Sequence, residues 1–295
     1  MAVSSKNIGG DVEHIRQIRG ILDSLKEKDV YSGSAEGFID NKNAIVNIFK
    51  LTNSSKVEDA LLRLTVIDSM YSTQMNRRYY ALDELADKMV RTHSSSELFL
   101  DFLNNYDTTL FNGGEGKKSF NLWGEKYGIG KDAKDKGAAV SLISKYAYFE
   151  TGLKFPIYDS IVCEMYPRIW KYCGWKDKIP KLWALNKNLQ LEGEQTIITF
   201  VKAIDELIRR LGGNISYDHL DRLLWYTGKI YRGNLSLVIS RKDYIDCVDK
   251  KLIKGGIFDV SQVDISKLSF CKTNSRLKAL FELAKTLKTN TNINP

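Results

Sequence analysis

Apolar residues recur at intervals of three and four over most of the chain, and this periodicity limits its fold more than any other feature. Such spacing places apolar side chains on one face of an α-helix, whereas a half-buried strand alternates at every second residue. Only four prolines occur in 295 residues, so long helices meet few breaks. The spacing therefore predicts a mainly α fold. The clearest helical faces hold Leu61, Leu64, Ile67 and Met70 in one segment, and Ile197, Val201, Ile204 and Leu211 in another.

Turn signals divide the chain into three parts. Residues 1–56 hold short helical patches separated by turn-rich stretches, which is typical of an N-terminal extension or cap. Residues 57–250 carry the long helical patterns of a core, and residues 251–295 carry a last helix and a polar tail. Within the core, residues 235–240 alternate in the manner of a strand, so a short strand or hairpin is predicted there.

Composition excludes several classes of protein. The 44 basic against 36 acidic residues give a net charge of +8, which favours a polyanionic partner such as nucleic acid. No apolar run is long enough to span a membrane, and the first residues lack the apolar core of a secretory signal, so we expect a cytoplasmic protein without membrane contact. The four cysteines and three histidines lack metal-ligand spacing, so neither a metal nor another cofactor is expected.

Two segments carry chemically suggestive residues. Residues 71–78 are polar and basic, and they join two amphipathic helical patterns. Residues 144–149 end a helical pattern, and residues 155–162 make a short extended turn followed by a new helix. Asp159 stands where the N-cap of that new helix is expected.

Taken together, these two segments resemble the helix-hairpin-helix DNA glycosylases, a superfamily that includes endonuclease III and the 8-oxoguanine glycosylases. Residues 155–159, Phe-Pro-Ile-Tyr-Asp, resemble the family segment that opens a helix with the catalytic aspartate. Residues 72–74, Ser-Thr-Gln, resemble the loop whose amide side chain enters the DNA stack from the minor groove. Gln74 and Asp159 are 85 positions apart, which suits the helical half-barrel of the family. The resemblance implies a two-lobed helical fold with a catalytic segment at 137–175.

The family hairpin, in which two glycines precede a lysine, has two candidate counterparts. Residues 127–131, Tyr-Gly-Ile-Gly-Lys, keep both glycines but lie farther from Asp159 than the family spacing. Residues 137–145 lie closer to Asp159 and lack the second glycine. Ser144, with Lys145 beside it, is then the candidate for the position of the family's catalytic lysine. A serine at this position resembles the monofunctional members, which use water instead of an enzyme amine and leave an abasic site.

The resemblance also implies a role for each group near these segments. Asp159 would stabilise the positive charge that develops on the sugar as the glycosidic bond breaks. Gln74 would fill the space that the flipped base leaves in the duplex. The candidate DNA-binding residues are Gln74, Asn76, Arg77, Arg78, Gly128, Gly130 and Lys131, and the candidates for the base pocket are Tyr146, Tyr148, Trp225 and Tyr226.

We therefore predict a monomeric DNA glycosylase that acts on double-stranded DNA with a modified base. The resemblance suggests an oxidised purine and a role in base excision repair. Removal of a modified base from phage DNA, as an antiviral defence, is the second hypothesis. The alternatives from other classes are a non-catalytic DNA-binding protein of the same fold and a helical protein-interaction module.

Overall fold

The computed structural model describes residues 10–27, 36–71, 73–105, 122–134, 137–177 and 193–290. Twelve α-helices and one small antiparallel hairpin make up the regular structure of this part of the chain. The mainly α class that the periodicity predicts is therefore confirmed. In chain order the elements are α1 (Val12–Glu27), α2 (Glu36–Leu51), α3 (Val57–Tyr71), α4 (Ala81–Arg91), α5 (Ser96–Asn105), α6 (Val140–Glu150), α7 (Ser160–Tyr172), α8 (Gly193–Leu211), α9 (Tyr217–Tyr231), α10 (Arg241–Asp249), β1 (Ile253–Lys254), β2 (Ile257–Phe258), α11 (Ser269–Thr273) and α12 (Ser275–Thr289).

The described residues group into two compact units, and neither unit is continuous in sequence. A central unit draws on residues 40–159 and 184–205. A terminal unit draws on residues 1–39, 160–183 and 206–295. This division does not follow the predicted boundaries at residues 56 and 250, because α1 packs against α9 and α12 and thereby joins the two ends of the chain in one unit.

A buried arginine on α3 organises the core of the central unit. The side chain of Arg63 is 4% exposed. Its Nε donates to Thr52 Oγ1 at 2.7 Å, and its Nη2 donates to the carbonyl oxygens of Phe49 at 2.8 Å and Thr52 at 2.6 Å. Its Nη1 donates to the Tyr146 hydroxyl at 3.2 Å and to the Glu150 carboxylate at 2.7 Å. One guanidinium thus holds the C-terminal ends of α2 and α6 against α3.

A glycine allows the close packing of two helices in the terminal unit. A Cβ atom at Gly228 of α9 would lie 2.2 Å from Cγ2 of Ile161 and 3.0 Å from Cγ of Met165, both on α7. The first distance is far shorter than any contact in a packed interior, so only glycine fits here. α1 and α12 also pack against α9, which makes α9 the helix around which this unit is built.

The predicted strand at residues 235–240 is wrong. Leu235–Leu237 form a turn of 3₁₀-helix, and Ser240 then caps α10. The N–H groups of Val238 and Ile239 both bond to the carbonyl oxygen of Leu235, so the backbone of this segment pairs with itself. The apolar residues of this segment are instead spaced as they are in a helical turn. Among the described residues the strands are β1 and β2, about fifteen positions later.

We expect Arg63→Met to lower the free energy of unfolding by about 3–5 kcal/mol, because it leaves the buried Glu150 carboxylate without its cation. Urea unfolding followed by circular dichroism measures the change. Arg91→Met is the matched control, since Arg91 is 74% exposed and pairs with Asp87 on the same helix. Its expected change is below about 0.5 kcal/mol. Equal effects of the two substitutions would contradict the role given to Arg63.

Candidate functional site

The segment that carries Asp159 is held by an aromatic cluster. Phe155 is fully buried, and its ring stacks on Trp123 with centroids 5.8 Å apart. The ring of Phe99 packs edge-on against the ring of Phe155, with centroids 5.9 Å apart. The chain then passes through Pro156 and Ile157 without regular structure, and α7 begins at Ser160, so Asp159 directly precedes a helix as predicted.

A lysine on α6 faces this aspartate. Lys145 Nζ lies 3.5 Å from Asp159 Oδ2 and donates to Ser141 Oγ at 2.7 Å. The amine also lies 5.7 Å from the ring centroid of Tyr71, the last residue of α3. The side chain of Lys145 is 2% exposed and that of Asp159 is 22% exposed. The pair is largely removed from water, and the carboxylate is the member that solvent or a ligand can reach.

Ser144 makes hydrogen bonds to the backbone on both sides of the site. Its side chain is fully buried. The hydroxyl donates to the carbonyl oxygen of Ser141 at 3.0 Å and accepts from the N–H of Tyr158 at 3.0 Å. Ser144 therefore holds the backbone beside Asp159 against α6. Of the two candidates for the lysine position, Lys145 is the one whose functional atom reaches Asp159.

The loop that carries Gln74 is organised by a buried carboxylate on α3. Asp68 is 4% exposed, and its Oδ1 accepts from the Thr73 hydroxyl and from the Met75 N–H at 2.9 Å. Its Oδ2 accepts from the N–H of Asn76 at 3.0 Å. Gln74 sits between these bonds in the left-handed region, with φ of 64°, and is exposed. This geometry presents the amide at the tip of a constrained turn. Ser72 lies outside the described residues.

The cations of this loop differ in their surroundings. Arg77 is exposed, and its Nη1 donates to Gln74 Oε1 at 3.3 Å. Arg78 Nη1 donates to the carbonyl oxygen of Gly137 at 2.7 Å, which ties the loop to the segment that leads into α6. Partial burial lowers the pKa of Arg78, and the charge of Asp68 acts in the opposite direction. The side chain of Asn76 is exposed, so Asn76 and Arg77 are accessible to a ligand, as Gln74 is.

The two glycines of residues 127–131 do not offer free N–H groups to a phosphate. The N–H of Gly128 donates to Glu84 Oε2 at 2.6 Å, and the N–H of Gly130 donates to the carbonyl oxygen of Lys134 at 3.0 Å. Their predicted role in binding phosphate is therefore corrected, since both donors already have partners. Residues 122–134 contain turns and no helix, whereas α6 begins within the second candidate hairpin. Lys131 is exposed in one of these turns.

The four candidates for the base pocket are divided between the two units. Tyr146 is fully buried in the core beside Arg63, where burial raises its pKa to about 12. Tyr148 is 2% exposed and packs edge-on against Phe149. Trp225 and Tyr226 belong to the terminal unit, where Tyr226 is buried and Trp225 is half-buried. In this structure neither Tyr146 nor Tyr148 exposes a ring face to a ligand.

The sequence did not predict three of the residues that contribute to the site. Ser141 lies one helical turn before Lys145, so helical spacing alone could have paired them. Tyr71 lies at the end of the predicted α3 pattern, where nothing but proximity in space connects it to Lys145. Asp68 resembles any polar residue on an amphipathic helix, and only the loop that folds back onto it reveals its function.

Comparison of the chain with protein-family models, with curated proteins and with solved structures finds no match. Within the described ranges, no helix is both long and apolar enough to cross a membrane. The same part of the chain holds no group of three or more histidine, cysteine, aspartate or glutamate side chains placed to bind a metal ion.

We expect Asp68→Ala to release the Gln74 loop while leaving α3 helical. Each lost bond to a charged acceptor contributes about 1.5–3 kcal/mol, so the amides of Met75 and Asn76 should exchange at least about ten-fold faster. Hydrogen–deuterium exchange measures this directly. Asp83→Ala, which removes an exposed carboxylate from the first turn of α4, is the control. Unchanged exchange at residues 75 and 76 would contradict the role given to Asp68.

Proposed function

We propose that this chain is a DNA N-glycosylase of the helix-hairpin-helix type, with Asp159 as its catalytic carboxylate and Gln74 as the residue that enters the base stack. The observation that carries the proposal is the environment of Asp159. The carboxylate directly precedes α7, lies 3.5 Å from a buried lysine and keeps 22% of its surface accessible. A strongly desolvated charge pair with one reachable member is typical of a catalytic site.

The proposed reaction uses the negative charge of Asp159. The bond between C1′ of the sugar and the base nitrogen breaks, and its electron pair leaves with the base, which takes up a proton. Positive charge then builds on the sugar ring, and a carboxylate held close to it lowers the barrier. Water attacks C1′ and gives its proton to Asp159 or to solvent, so the product is an abasic site.

Water is the proposed nucleophile because the amine of Lys145 is engaged with other groups. It lies 3.5 Å from the Asp159 carboxylate and donates to Ser141 Oγ at 2.7 Å, and the side chain is only 2% exposed. The second candidate is a bifunctional enzyme, which the proximity of Lys145 to Asp159 favours. In that reaction Lys145 passes a proton to Asp159, its amine attacks C1′, and the base leaves with the bonding pair.

The DNA contact is proposed for the loop at residues 73–78. A tight turn that presents Gln74 on a constrained backbone can enter a duplex without first being ordered. Arg77 and Lys131 are exposed cations of the same unit, and the net charge of +8 favours a polyanion. The substrate class follows from the resemblance alone: an oxidised purine in repair, or a modified base of phage DNA in antiviral defence.

We expect Asp159→Asn to lower the single-turnover rate of base release by at least about 100-fold, because it removes the charge opposite the developing cation. Duplexes with 8-oxoguanine, uracil, alkylated adenine and hypermodified cytosine form the panel, and the base released is quantified by mass spectrometry. Asp132→Asn, in an exposed turn, is the control. An unchanged rate in Asp159→Asn would overturn the assignment.

The substitution also leaves Lys145 without its carboxylate, so loss of activity must be separated from loss of stability. The double variant Asp159→Asn with Lys145→Met removes both charges. We expect the double variant to recover thermal stability relative to Asp159→Asn and to remain inactive. Recovery of activity together with stability would mean that Asp159 serves structure alone.

The nucleophile is tested with borohydride, which reduces the imine between a lysine and C1′ to a stable adduct. We expect strand breaks only after alkali treatment and no trapped adduct, because water is the nucleophile. An adduct that disappears in Lys145→Gln and persists in Lys131→Gln would establish the bifunctional reaction. Salt-dependent binding without base release would indicate a non-catalytic DNA-binding protein. Absence of duplex binding even at about 50 mM salt would indicate the protein-interaction module.

A further inference from the structure

Two consecutive tyrosines beside the Gln74 loop are unusually exposed. Tyr79 is 54% exposed and Tyr80 is 66% exposed, whereas most of the aromatic residues that the structure describes are buried. Within the described part of the chain, neither ring takes part in a hydrogen bond or a ring contact. Large apolar rings left in water favour a site that contacts a ligand.

The backbone beneath these two rings is rigid. The N–H and carbonyl groups of Tyr79 pair with those of Ile129 at 3.0 and 3.1 Å. The carbonyl oxygen of Tyr80 accepts from the N–H of Glu84 at 2.9 Å, which starts α4. A Cβ atom at Gly128 would lie 2.7 Å from the carbonyl oxygen of Tyr79, so the two backbones touch. This close contact with the backbone of Tyr79 explains why residue 128 is a glycine.

The conformation of Tyr80 is unfavourable for its residue type. Its φ is 61°, in the left-handed region where a side chain costs about 1 kcal/mol relative to glycine. Gln74, six positions earlier, has a φ of 64°. Two such residues bound a segment of seven, and both are exposed. Because both side chains are exposed, core packing does not explain why these two positions hold glutamine and tyrosine instead of glycine.

The charged residues near the two rings indicate what kind of ligand the rings can bind. Arg77 and Arg78 directly precede them. Of the neighbouring acids, Asp83 and Glu84 are exposed, Glu84 accepts from the N–H of Gly128, and Asp87 pairs with Arg91. Aromatic rings next to guanidinium groups bind single-stranded nucleic acid, whose bases stack on the rings while its phosphates contact the cations.

We propose that Tyr79 and Tyr80 form a stacking surface for unpaired nucleobases, so that the preferred ligand of this loop is DNA with an unpaired segment. Bases within an intact duplex already stack on each other and cannot present a face to these rings. Unpaired bases can stack on them without first breaking a pair. The choice of DNA rests on the proposed function, whereas the preference for unpaired bases rests on the exposed rings and their backbone.

The test compares three DNAs of one sequence without any modified base: an intact duplex, the duplex with a central unpaired bubble, and the single strand. Fluorescence anisotropy at about 50 mM salt gives each dissociation constant. We expect the bubble and the single strand to bind at least about ten-fold tighter than the intact duplex, since each stacked base contributes about that factor. Equal affinity for all three DNAs would overturn the proposal.

Variants separate stacking from folding. Tyr80→Gly removes the ring and relieves the left-handed strain, so we expect unchanged or higher thermal stability together with about ten-fold weaker binding of the bubble. Tyr80→Phe keeps the ring and should bind as the unchanged protein does. Leu62→Ala, at another exposed apolar side chain of the central unit, should leave binding unchanged. Normal bubble binding by Tyr80→Gly combined with Tyr79→Ala would overturn the proposal.

The outcome is independent of catalysis, because none of the three DNAs is a substrate. Failure to release any base from modified duplexes would contradict the glycosylase proposal and leave the stacking preference standing. Tighter binding of an RNA strand of the same sequence than of the DNA strand would overturn the choice of DNA.

Discussion

The central unit depends on one guanidinium buried among five acceptors. Leaving the charge of Arg63 without partners would cost far more than a typical hydrogen bond contributes, so α2, α3 and α6 are constrained to the arrangement that satisfies it. Two of its acceptors, Tyr146 and Glu150, lie on α6, and Tyr146 directly follows Lys145. Successive residues of a helix point about 100° apart, so turning Tyr146 toward Arg63 sets the direction of Lys145 as well. The position of the amine opposite Asp159 is thus a consequence of core packing.

The buried carboxylate of Asp68 acts in the same way, but on a turn that is close to it in the sequence. Asp68 satisfies the polar groups of a turn that lacks regular structure, and the turn can therefore hold Gln74 in a left-handed conformation. Arg63 and Asp68 lie five positions apart on α3, and each is 3–4% exposed. One helix thus positions both parts of the candidate site, the charge pair through its contacts with α6 and the exposed loop through its C-terminal end.

Local patterns predicted the parts of the structure that local forces determine. Apolar spacing identified the main helices, and the turn residues before Ser160 correctly placed Asp159 at the start of one. The strand predicted at residues 235–240 was wrong, because apolar alternation over so few positions also fits the apolar contacts of a tight turn. The hydrogen bonds of Ser144 and Gly128 could not be predicted for another reason. Ser144 accepts from Tyr158, 14 positions away, and Gly128 donates to Glu84, 44 positions away, and sequence spacing carries no record of such bonds.

The discontinuous terminal unit determines when the chain can complete its fold. α1 is synthesised before the central unit, whereas its partners α9 and α12 follow that unit in the chain. Its apolar face must stay without those partners while the whole central unit is made, since a contact between distant segments forms only after both exist. During that interval α1 presents the type of surface that chaperones recognise on a nascent chain. Burial of α1 therefore follows, rather than precedes, the synthesis of the central unit.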